Sequence, residues 1–305
     1  MPTARPDGAN RRRMNHNTHL PPQSTMQVIS SGDELRQAVR DTQRSGLSVG
    51  LVPTMGALHQ GHLSLVDAAR AECNETVATI FINPAQFGPS EDIDKYPFDL
   101  KSDLQMLQQH GCGMVFVPSV AEMYSPGHDT WVEAGAVASG LEGLIRPIHF
   151  RGVATIVLKL LMIAPADYIY LGQKDYQQTL VIQQMIADLN IPVTARICPT
   201  VREPDGLAMS SRNSYLNREE RHQAAALFQS LQLAERLAVA GEQDPRVLTS
   251  RMRQQLANAP LVELDYIEFV TPGSITPVEQ VDGPTVVAIA AQVGQTRLID
   301  NSLIG

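Results

Sequence analysis

Apolar runs alternate with amphipathic stretches along most of the chain after Met26. Four runs of largely unbroken apolar character are typical of strands buried on both faces of a parallel sheet: "SVGLVPT", "TVATIFIN", "MVFVP" and "DYIYLG". Between them, apolar positions recur at helical spacing in "ELRQAVRDTQ", "HLSLVDAARAE", "DLKSDLQMLQQHG", "VATIVLKLLMIA" and "YQQTLVIQQMIADLN". Strands that alternate with helices in this way predict a Rossmann-like α/β fold with a doubly wound parallel sheet, which we place at residues 26–200.

The pattern changes after about residue 200. Two polar-faced helices are predicted first, in "REERHQAAALFQSLQLAERLAVAG" and "DPRVLTSRMRQQLANA". Three strand-like runs follow, "LDYIEFV", "TVVAIAAQV" and "TRLIDN", separated by turn sequences such as "TPGS" and "VDGP". The pattern therefore predicts a second, smaller α+β domain at residues 201–305.

The first 25 residues have a different composition from the rest. They contain four prolines, an arginine triplet and almost no apolar residues, so we expect residues 1–25 to form a disordered extension. Nothing in them is apolar enough for a signal peptide, and the prolines disfavour the amphipathic helix of a transit peptide. Met26 is a plausible alternative start of the chain.

Overall composition excludes several classes of protein. The chain has 305 residues, is 43% hydrophobic, and has no run long enough to span a membrane. Its net charge of −8 argues against a general nucleic-acid binder but allows a local cluster of cations to bind a small anion. Three widely spaced cysteines indicate a reducing compartment, so we expect a cytoplasmic protein without disulfides.

The segment "PTMGALHQGH", residues 53–62, is the first candidate site. It joins a predicted strand to a predicted helix, and helix N-termini bind anions through free N–H groups. Gly56 permits an unusual backbone conformation, and Gly61 removes a side chain where a ligand approaches the helix. His59 and His62 lie about one turn apart and can face one phosphate group. Two ordinary histidines remain the alternative, and a zinc site lacks partner ligands.

Two further segments have the same chemical character. In "YLGQKDYQQ", residues 170–178, Lys174 can pair with a phosphate and Asp175 can accept from ribose hydroxyls, although a helix cap with a solvated lysine is the common alternative. In "GLAMSSRNSYL", residues 206–216, Ser210, Ser211 and Arg212 suit phosphate oxygens, the alternative being a polar linker. The chain lacks both the P-loop and the GxGxxG sequence, so neither of those nucleotide sites is predicted.

Two loops contribute other polar groups. Arg146, His149 and Arg151 in "EGLIRPIHFRG" gather cations ahead of an apolar helix. Asn83 and Gln86 in "IFINPAQFG" are neutral groups at a strand end, and such groups orient a small polar substrate.

Taken together, these motifs resemble the pantothenate synthetase (pantoate–β-alanine ligase) family from about residue 26 to the C-terminus. The resemblance rests on "PTMGALHQGH", "IFINPAQF", "EGLIRPIHFRGV", "GQKDYQQ", "VREPDGLAMSSRN" and "TRLIDN". It implies an AMP-forming ligase of coenzyme A (vitamin B5) biosynthesis. Such an enzyme uses ATP with Mg²⁺ to convert pantoate to pantoyl adenylate and pyrophosphate, and β-alanine then displaces AMP to give pantothenate. It also implies a homodimer formed through the N-terminal domain, with no nucleic-acid or membrane partner.

The resemblance also implies roles for individual residues. The catalytic groups at the ATP phosphates would be His59, His62, Lys174, Ser210, Ser211 and Arg212. ATP would further contact Met55, Gly56, Gly61, Gly172 and Asp175, the last two near the ribose. Pantoate would bind between Pro53, Met55, Gln86 and Gln178. Asn83, Glu142 and Arg146 also fall on matched motif positions, no metal ligands are assigned, and the C-terminal domain would act as a lid.

Two positions depart from the common family pattern, with Phe98 where arginine is frequent and Gln173 where glutamate is frequent. Three alternatives remain at this point. A related nucleotidyl transferase would stop at pyrophosphate release, and a catalytically inactive nucleotide-binding protein would lack some of the histidines and cations found here. A tRNA-binding protein is disfavoured by the net charge.

Overall fold

The computed structural model describes residues 26–88 and 93–305, and the predicted extension at residues 1–25 lies outside them. Six parallel strands form the main sheet in the order β1-β4-β3-β2-β5-β6. They are β1 (Gln27–Ile29), β2 (Val49–Thr54), β3 (Glu75–Ile80), β4 (Met114–Phe116), β5 (Tyr168–Gly172) and β6 (Thr194–Cys198). The predicted doubly wound α/β class is confirmed.

Helices cover both faces of this sheet, because successive strand residues point to opposite sides. In β2, Leu51 packs into the core with the first, sixth and seventh helices, whereas Val52 packs with the second and third. The helices are α1 (Gly32–Arg44), α2 (Gln60–Glu72), α3 (Leu100–Gln109), α4 (Val120–Met123), α5 (Glu142–Ile145), α6 (His149–Ile163) and α7 (Tyr176–Asp188). None of the helices in the described part of the chain is long and apolar enough to cross a bilayer.

Strand order places a crevice beside β2. After β2 the chain builds the sheet outward through β3, and after β5 it builds in the opposite direction through β6. The loops that leave β2 and β5 therefore diverge at the carboxyl edge of two neighbouring strands. Ligands of doubly wound proteins bind at such a reversal point.

The C-terminal part has its own sheet and core. The antiparallel strands β7 (Val262–Val270), β8 (Thr285–Val293) and β9 (Thr296–Ile304) lie in that order. They pack against α8 (Arg218–Ala224), α9 (Ala226–Val239) and α10 (Pro245–Leu256). The second, smaller α+β unit is thus confirmed, although its single predicted first helix is two helices that meet at Ala225.

The structure differs from the predicted strands at three places. Two edge strands, β1 and β6, were not predicted from the sequence. The third strand ends at Ile80 rather than at Asn83, because Asn83 caps a 3-10 turn that begins with Pro84. Proline lacks the N–H that a strand interior requires, so the chain turns there.

Candidate active site

A cleft of about 1180 Å³ lies at the carboxyl edge of β2 and β5 and is closed on one side by the C-terminal domain. It is lined by sixteen of the seventeen residues that the sequence singled out as site residues, namely Pro53, Met55, His59, Gly61, His62, Asn83, Gln86, Glu142, Arg146, Gly172, Lys174, Asp175, Gln178, Ser210, Ser211 and Arg212. Gly56 is the exception. The structure thus brings five separate segments, within residues 53–62, 83–86, 142–146, 172–178 and 210–212, to one cavity.

The two histidines stack at the start of α2. His59 is the N-cap residue, and its Nδ1 accepts a hydrogen bond from the Gly61 N–H at 3.1 Å. The two imidazole centroids lie 4.1 Å apart. A Cβ at Gly61 would lie 2.9 Å from the His59 ring. Gly61 therefore makes room for the capping imidazole, and it also lines the cleft, where its sequence position predicts the approach of a ligand.

Gly56 shapes the turn from behind the cleft. Its φ of +86° is in the left-handed region, and a Cβ there would lie 2.9 Å from Oδ2 of Asp103. That buried carboxylate accepts the N–H groups of Ala57 at 2.9 Å and Leu58 at 2.8 Å. Asp103 was not predicted as a site residue, because a single acid in a helix resembles any solvated position. Burial raises the pKa of Asp103 despite these two bonds.

Burial also determines the charge state of the histidines. It lowers the pKa of His62 to about 3 and, together with the Lys174 ammonium, that of His59 to about 4. Asp175 keeps its charge, in contrast to the histidines. Burial acts to raise its pKa, but the charges of Lys174 and Arg212 hold that pKa below the ordinary value. At neutral pH this part of the cleft therefore presents two neutral imidazoles beside the Asp175 carboxylate and the cations Lys174 and Arg212. The His62 Nδ1 is buried and has no hydrogen-bond partner among the described residues.

Lys174 lies in a 3-10 turn, Gln173–Asp175, between β5 and α7. Its Nζ lies 3.4 Å from Oδ1 of Asp175. The backbone of this turn is bound from the C-terminal domain, since the Nδ2 of Asn301 donates to the carbonyl oxygens of Gln173 and Lys174, each at 2.9 Å. Gln173, which stands where glutamate is frequent in the family, thus contributes its backbone carbonyl to this contact with Asn301.

The serine–arginine loop is a 3-10 turn, Ser211–Tyr215, capped by Ser210. Ser210 Oγ accepts the Arg212 N–H at 3.3 Å, and Ser211 Oγ donates to the Tyr96 hydroxyl at 3.1 Å. Tyr215 donates to the carbonyl of Lys95 at 3.0 Å. The segment around Tyr96 therefore holds this loop against the cleft, a contact that no sequence motif indicated. The nearby Phe98 is exposed.

The neutral polar side of the cleft is organised around Gln86. Asn83 is buried and donates to Gln86 Oε1 at 3.0 Å and to the Gly152 carbonyl at 3.1 Å, while its own oxygen accepts from Tyr124 at 2.7 Å. Both the nitrogen and the oxygen of the Asn83 amide are hydrogen-bonded within the protein, so the role of Asn83 is to orient Gln86. The Nε2 of Gln86 then faces the Met55 sulfur at 3.1 Å, a weak acceptor that a ligand oxygen can replace.

Glu142 connects the two parts of the chain. Its buried carboxylate accepts both guanidinium ends of Arg297 at 2.6 and 2.8 Å, and the Tyr266 hydroxyl at 2.9 Å. Burial acts to raise the pKa of Glu142, but Arg297 holds that pKa below the ordinary value. The carboxylate is therefore occupied by the protein itself, which indicates an anchoring rather than a substrate-binding role.

The cations of "EGLIRPIHFRG" separate in space. Arg146 lines the cleft, with its Nη1 at 3.2 Å from the His149 ring, whose other nitrogen lies 3.1 Å from the Gln86 carbonyl. Arg151 lies within α6 and stacks on Trp131 at 4.3 Å, near Glu133. The expected group of three cations is thus limited to Arg146 and His149 at the cleft.

Comparison with known proteins places the chain in one family of similar sequences. The sequence profile of the pantoate-beta-alanine ligase family matches residues 27–303. A pantothenate synthetase of Roseiflexus sp. (strain RS-1) is 49% identical over 279 residues, which cover 92% of this chain and 99% of the relative. That of Thermotoga neapolitana is 47% identical over 280 residues, covering 92% of this chain and 100% of the relative.

Solved structures show the same likeness. A pantothenate synthetase of Thermus thermophilus superposes with a TM-score of 0.87 and 41% identity, covering 91% of this chain and 99% of that chain. A pantoate-beta-alanine ligase of Francisella tularensis, complexed with beta-gamma ATP and beta-alanine, superposes with a TM-score of 0.77 and 32% identity. That match covers 92% of this chain and 98% of the other.

Proposed function

This chain belongs to the pantoate–beta-alanine ligase family, and from that premise we propose how its cleft performs the reaction. The enzyme condenses pantoate with β-alanine, using ATP, to give pantothenate, AMP and pyrophosphate by way of pantoyl adenylate. The observation that best supports our assignment of the site is the convergence of the turns after β2 and β5 on one cleft at the reversal point of the sheet.

The phosphates of ATP bind where the histidines and cations meet. A pantoate carboxylate oxygen attacks the α-phosphorus, and the bond to pyrophosphate breaks. Charge that develops on the phosphoryl oxygens is met by hydrogen bonds from neutral His59 and His62 and by the charges of Lys174 and Arg212, with the hydroxyls of Ser210 and Ser211 beside them. Donors already held in place by caps and stacking need little reorganisation during the reaction.

The nucleoside lies beyond the phosphates. Asp175 accepts from ribose hydroxyls next to Gly172, because its lowered pKa keeps the carboxylate ionised. Met55 and Gly61 line the cleft beside the histidine turn, and we assign them contacts with ATP, Met55 also facing pantoate. Gly56 contributes to ATP binding only through the shape of that turn.

Pantoate occupies the neutral end of the cleft. Gln86, held by Asn83, and Gln178 at the start of α7 bind its oxygens, while Pro53 and Met55 form the apolar wall. In the second step the amine of β-alanine attacks the acyl carbon and AMP leaves. The reactive adenylate must be kept from water, which a cleft covered by the C-terminal domain favours.

Mg²⁺, the homodimer and the cytoplasmic location belong to the same proposal. Residues 26–88 and 93–305 contain no group of three His, Cys, Asp or Glu side chains suited to a metal ion. This fits Mg²⁺ that arrives on the phosphates of ATP, since that ion commonly binds through substrate phosphates and few carboxylates. The N-terminal domain is the proposed dimerisation surface.

Domain division follows the two sheets. We assign residues 26–200 to nucleotide and pantoate binding and residues 201–305 to a lid. Direct contacts support a lid that reaches the site, namely Ser211 with Tyr96, Asn301 with the Lys174 turn, and Arg297 with Glu142.

A product assay tests this function. The protein is mixed with ATP, Mg²⁺ and pantoate, and β-alanine is then added. We expect pyrophosphate first, and AMP and pantothenate in equal amounts after the amine is supplied. Pyrophosphate without pantothenate would indicate a nucleotidyl transferase that stops at the first step, and no product would indicate a nucleotide-binding protein.

A further inference from the structure

The "TRLIDN" sequence, residues 296–301 of β9, contacts the other domain with a side chain to which no role was assigned. Asn301 is 4% exposed and lines the cleft. It uses both protons of its amide, which bind the carbonyl oxygens of Gln173 and Lys174 at 2.9 Å each. Two adjacent carbonyls of one turn are thus bound by one side chain that lies 127 and 128 positions away along the chain.

Asn301 is itself firmly held. Its N–H donates to Asp300 Oδ1 at 2.8 Å, and its carbonyl accepts from Arg202 at 3.2 Å. Asp300 and Arg202 form a two-pronged ion pair at 2.6 and 3.0 Å, and the aspartate side chain is 1% exposed. Such pairs fix geometry as well as contribute energy.

Arg202, one member of this ion pair, also contacts the chain just before the Ser210–Arg212 loop. Arg202 donates to the Gly206 carbonyl at 3.1 Å, and residue 202 pairs with residue 208 just before the Ser210–Arg212 segment. β9 therefore connects the backbone that presents Lys174 with the loop that presents Arg212. The two cations belong to different parts of the chain, which these contacts join.

We propose that Asn301 is a positioning residue for Lys174. The turn between β5 and α7 is only three residues long, so the two bonds from Asn301 restrain the backbone from which the lysine side chain extends. Loss of these bonds leaves the Lys174 ammonium in the site but displaces it from the ATP phosphates. A displacement of about 1 Å can reduce an enzymatic rate by roughly 100-fold. The inference rests on the proposed phosphate-binding role of Lys174.

Pantoate-dependent exchange of pyrophosphate into ATP tests the inference, because it isolates the first step. We compare Asn301→Ala, Asn301→Asp and Lys174→Ala singly, and Asn301→Ala combined with Lys174→Ala. Ser302→Ala, the next residue of β9 on the opposite strand face, is the matched control. The values of kcat and KM for ATP and for pantoate are measured separately, with melting temperature as a check on folding.

We expect Asn301→Ala to lose roughly 10-fold or more in kcat/KM for ATP, with KM for pantoate unchanged and Ser302→Ala normal. Asn301→Asp, which keeps the shape but loses the amide donors, should behave similarly. In the Lys174→Ala background the Asn301→Ala change should cost less than about twofold, since coupled residues are not additive.

Full additivity of the two losses, or normal exchange in Asn301→Ala beside a large loss in Lys174→Ala, would overturn the inference. Normal exchange in Lys174→Ala would instead reject the proposed role of the lysine itself. If Asn301→Ala does not fold, Asn301→Asp provides the same comparison.

Discussion

His62 combines a largely desolvated, half-buried ring with a position near His59 and the Lys174 ammonium. Both features disfavour its charged form, so the imidazole is neutral at physiological pH and suited to the hydrogen-bonding role that we propose for it. The permanent positive charge beside the histidines comes from Lys174 and Arg212 instead. This division between neutral donors and fixed cations lets the site bind a polyanion without first having to protonate a histidine.

The depressed histidine pKa makes stability depend on pH in a defined direction. The folded-state pKa of His62 is about 3, against 6.5 for the free side chain. As pH falls below 6.5 the unfolded chain binds a proton that the native state refuses, so the free energy of unfolding decreases until the pH reaches the folded value. His62→Gln removes this proton uptake.

Unfolding in urea at a series of pH values measures the effect. Between the two pKa values, the free energy of unfolding of His62→Gln should fall less steeply than that of the unaltered protein, by up to about 1.4 kcal/mol per pH unit. His110→Gln, at an exposed pair with Asp67, serves as the control variant. If the free energy of unfolding varied with pH in the same way for His62→Gln and the unaltered protein, the folded protein would not hold His62 in its neutral form.

The sequence allowed many candidate site residues to be named, but it did not reveal the role of each one. The histidines, Lys174 and the serine–arginine loop were found from local sequence, because each lies in a turn that ends a strand or begins a helix. Glu142 was named only through the family resemblance, and its partners Tyr266 and Arg297 lie 124 and 155 positions away. No local pattern contains that information, so its anchoring role emerged only from the structure.

Elements in the interior were predicted better than those at the edges. Strands β2 and β3 are buried on both faces and read as apolar runs, and the three C-terminal strands are bounded by clear turn sequences. β1 has only three residues, with two of them exposed, and β6 is at most half-buried throughout. An edge strand has one neighbour and little buried surface, so its sequence has little apolar pattern to detect.

One buried contact between the two parts of the chain joins α5 to β9 through Glu142 and Arg297. Glu142→Gln retains the shape of the side chain but leaves the half-buried Arg297 guanidinium with Asp265 as its remaining carboxylate partner. We expect the free energy of unfolding to fall by about 2 kcal/mol, the usual value for hydrogen bonds to a charged partner. Chemical denaturation measures this directly.

Arg246→Gln provides the comparison, since it removes an arginine from an exposed pair with Asp244. Exposed pairs contribute little, so this variant should unfold like the unaltered protein. Equal stability of Glu142→Gln and Arg246→Gln would contradict an anchoring role for Glu142.

At the scale of the whole molecule, the fold class and the location of the cleft followed from the alternation of strands and helices. Two loops of similar chemistry after two parallel strands had to meet at one edge of the sheet. What could not be predicted is how the second domain completes the site. That depends on Tyr96 meeting Ser211 and on Asn301 meeting the Lys174 turn, both contacts between distant segments.

Residues 1–25 are expected to be dispensable for catalysis. Every residue assigned to the cleft lies between positions 53 and 301, and the family profile begins at residue 27. A protein that starts at Met26 should therefore retain the turnover number and KM values of the full chain, and steady-state assay of the two forms side by side measures this. A clear loss of turnover in the shortened form would show that the extension takes part in the reaction.

The central claim is that the histidine turn and the Lys174 turn form one adenylation site. Pantoate-dependent exchange of pyrophosphate into ATP, measured without β-alanine, tests it most directly. We expect His62→Ala and Lys174→Ala each to lose roughly 100-fold or more in kcat while keeping the unaltered circular dichroism spectrum, and His110→Ala and Lys101→Ala to remain near normal. Near-normal exchange in both cleft variants would contradict the account.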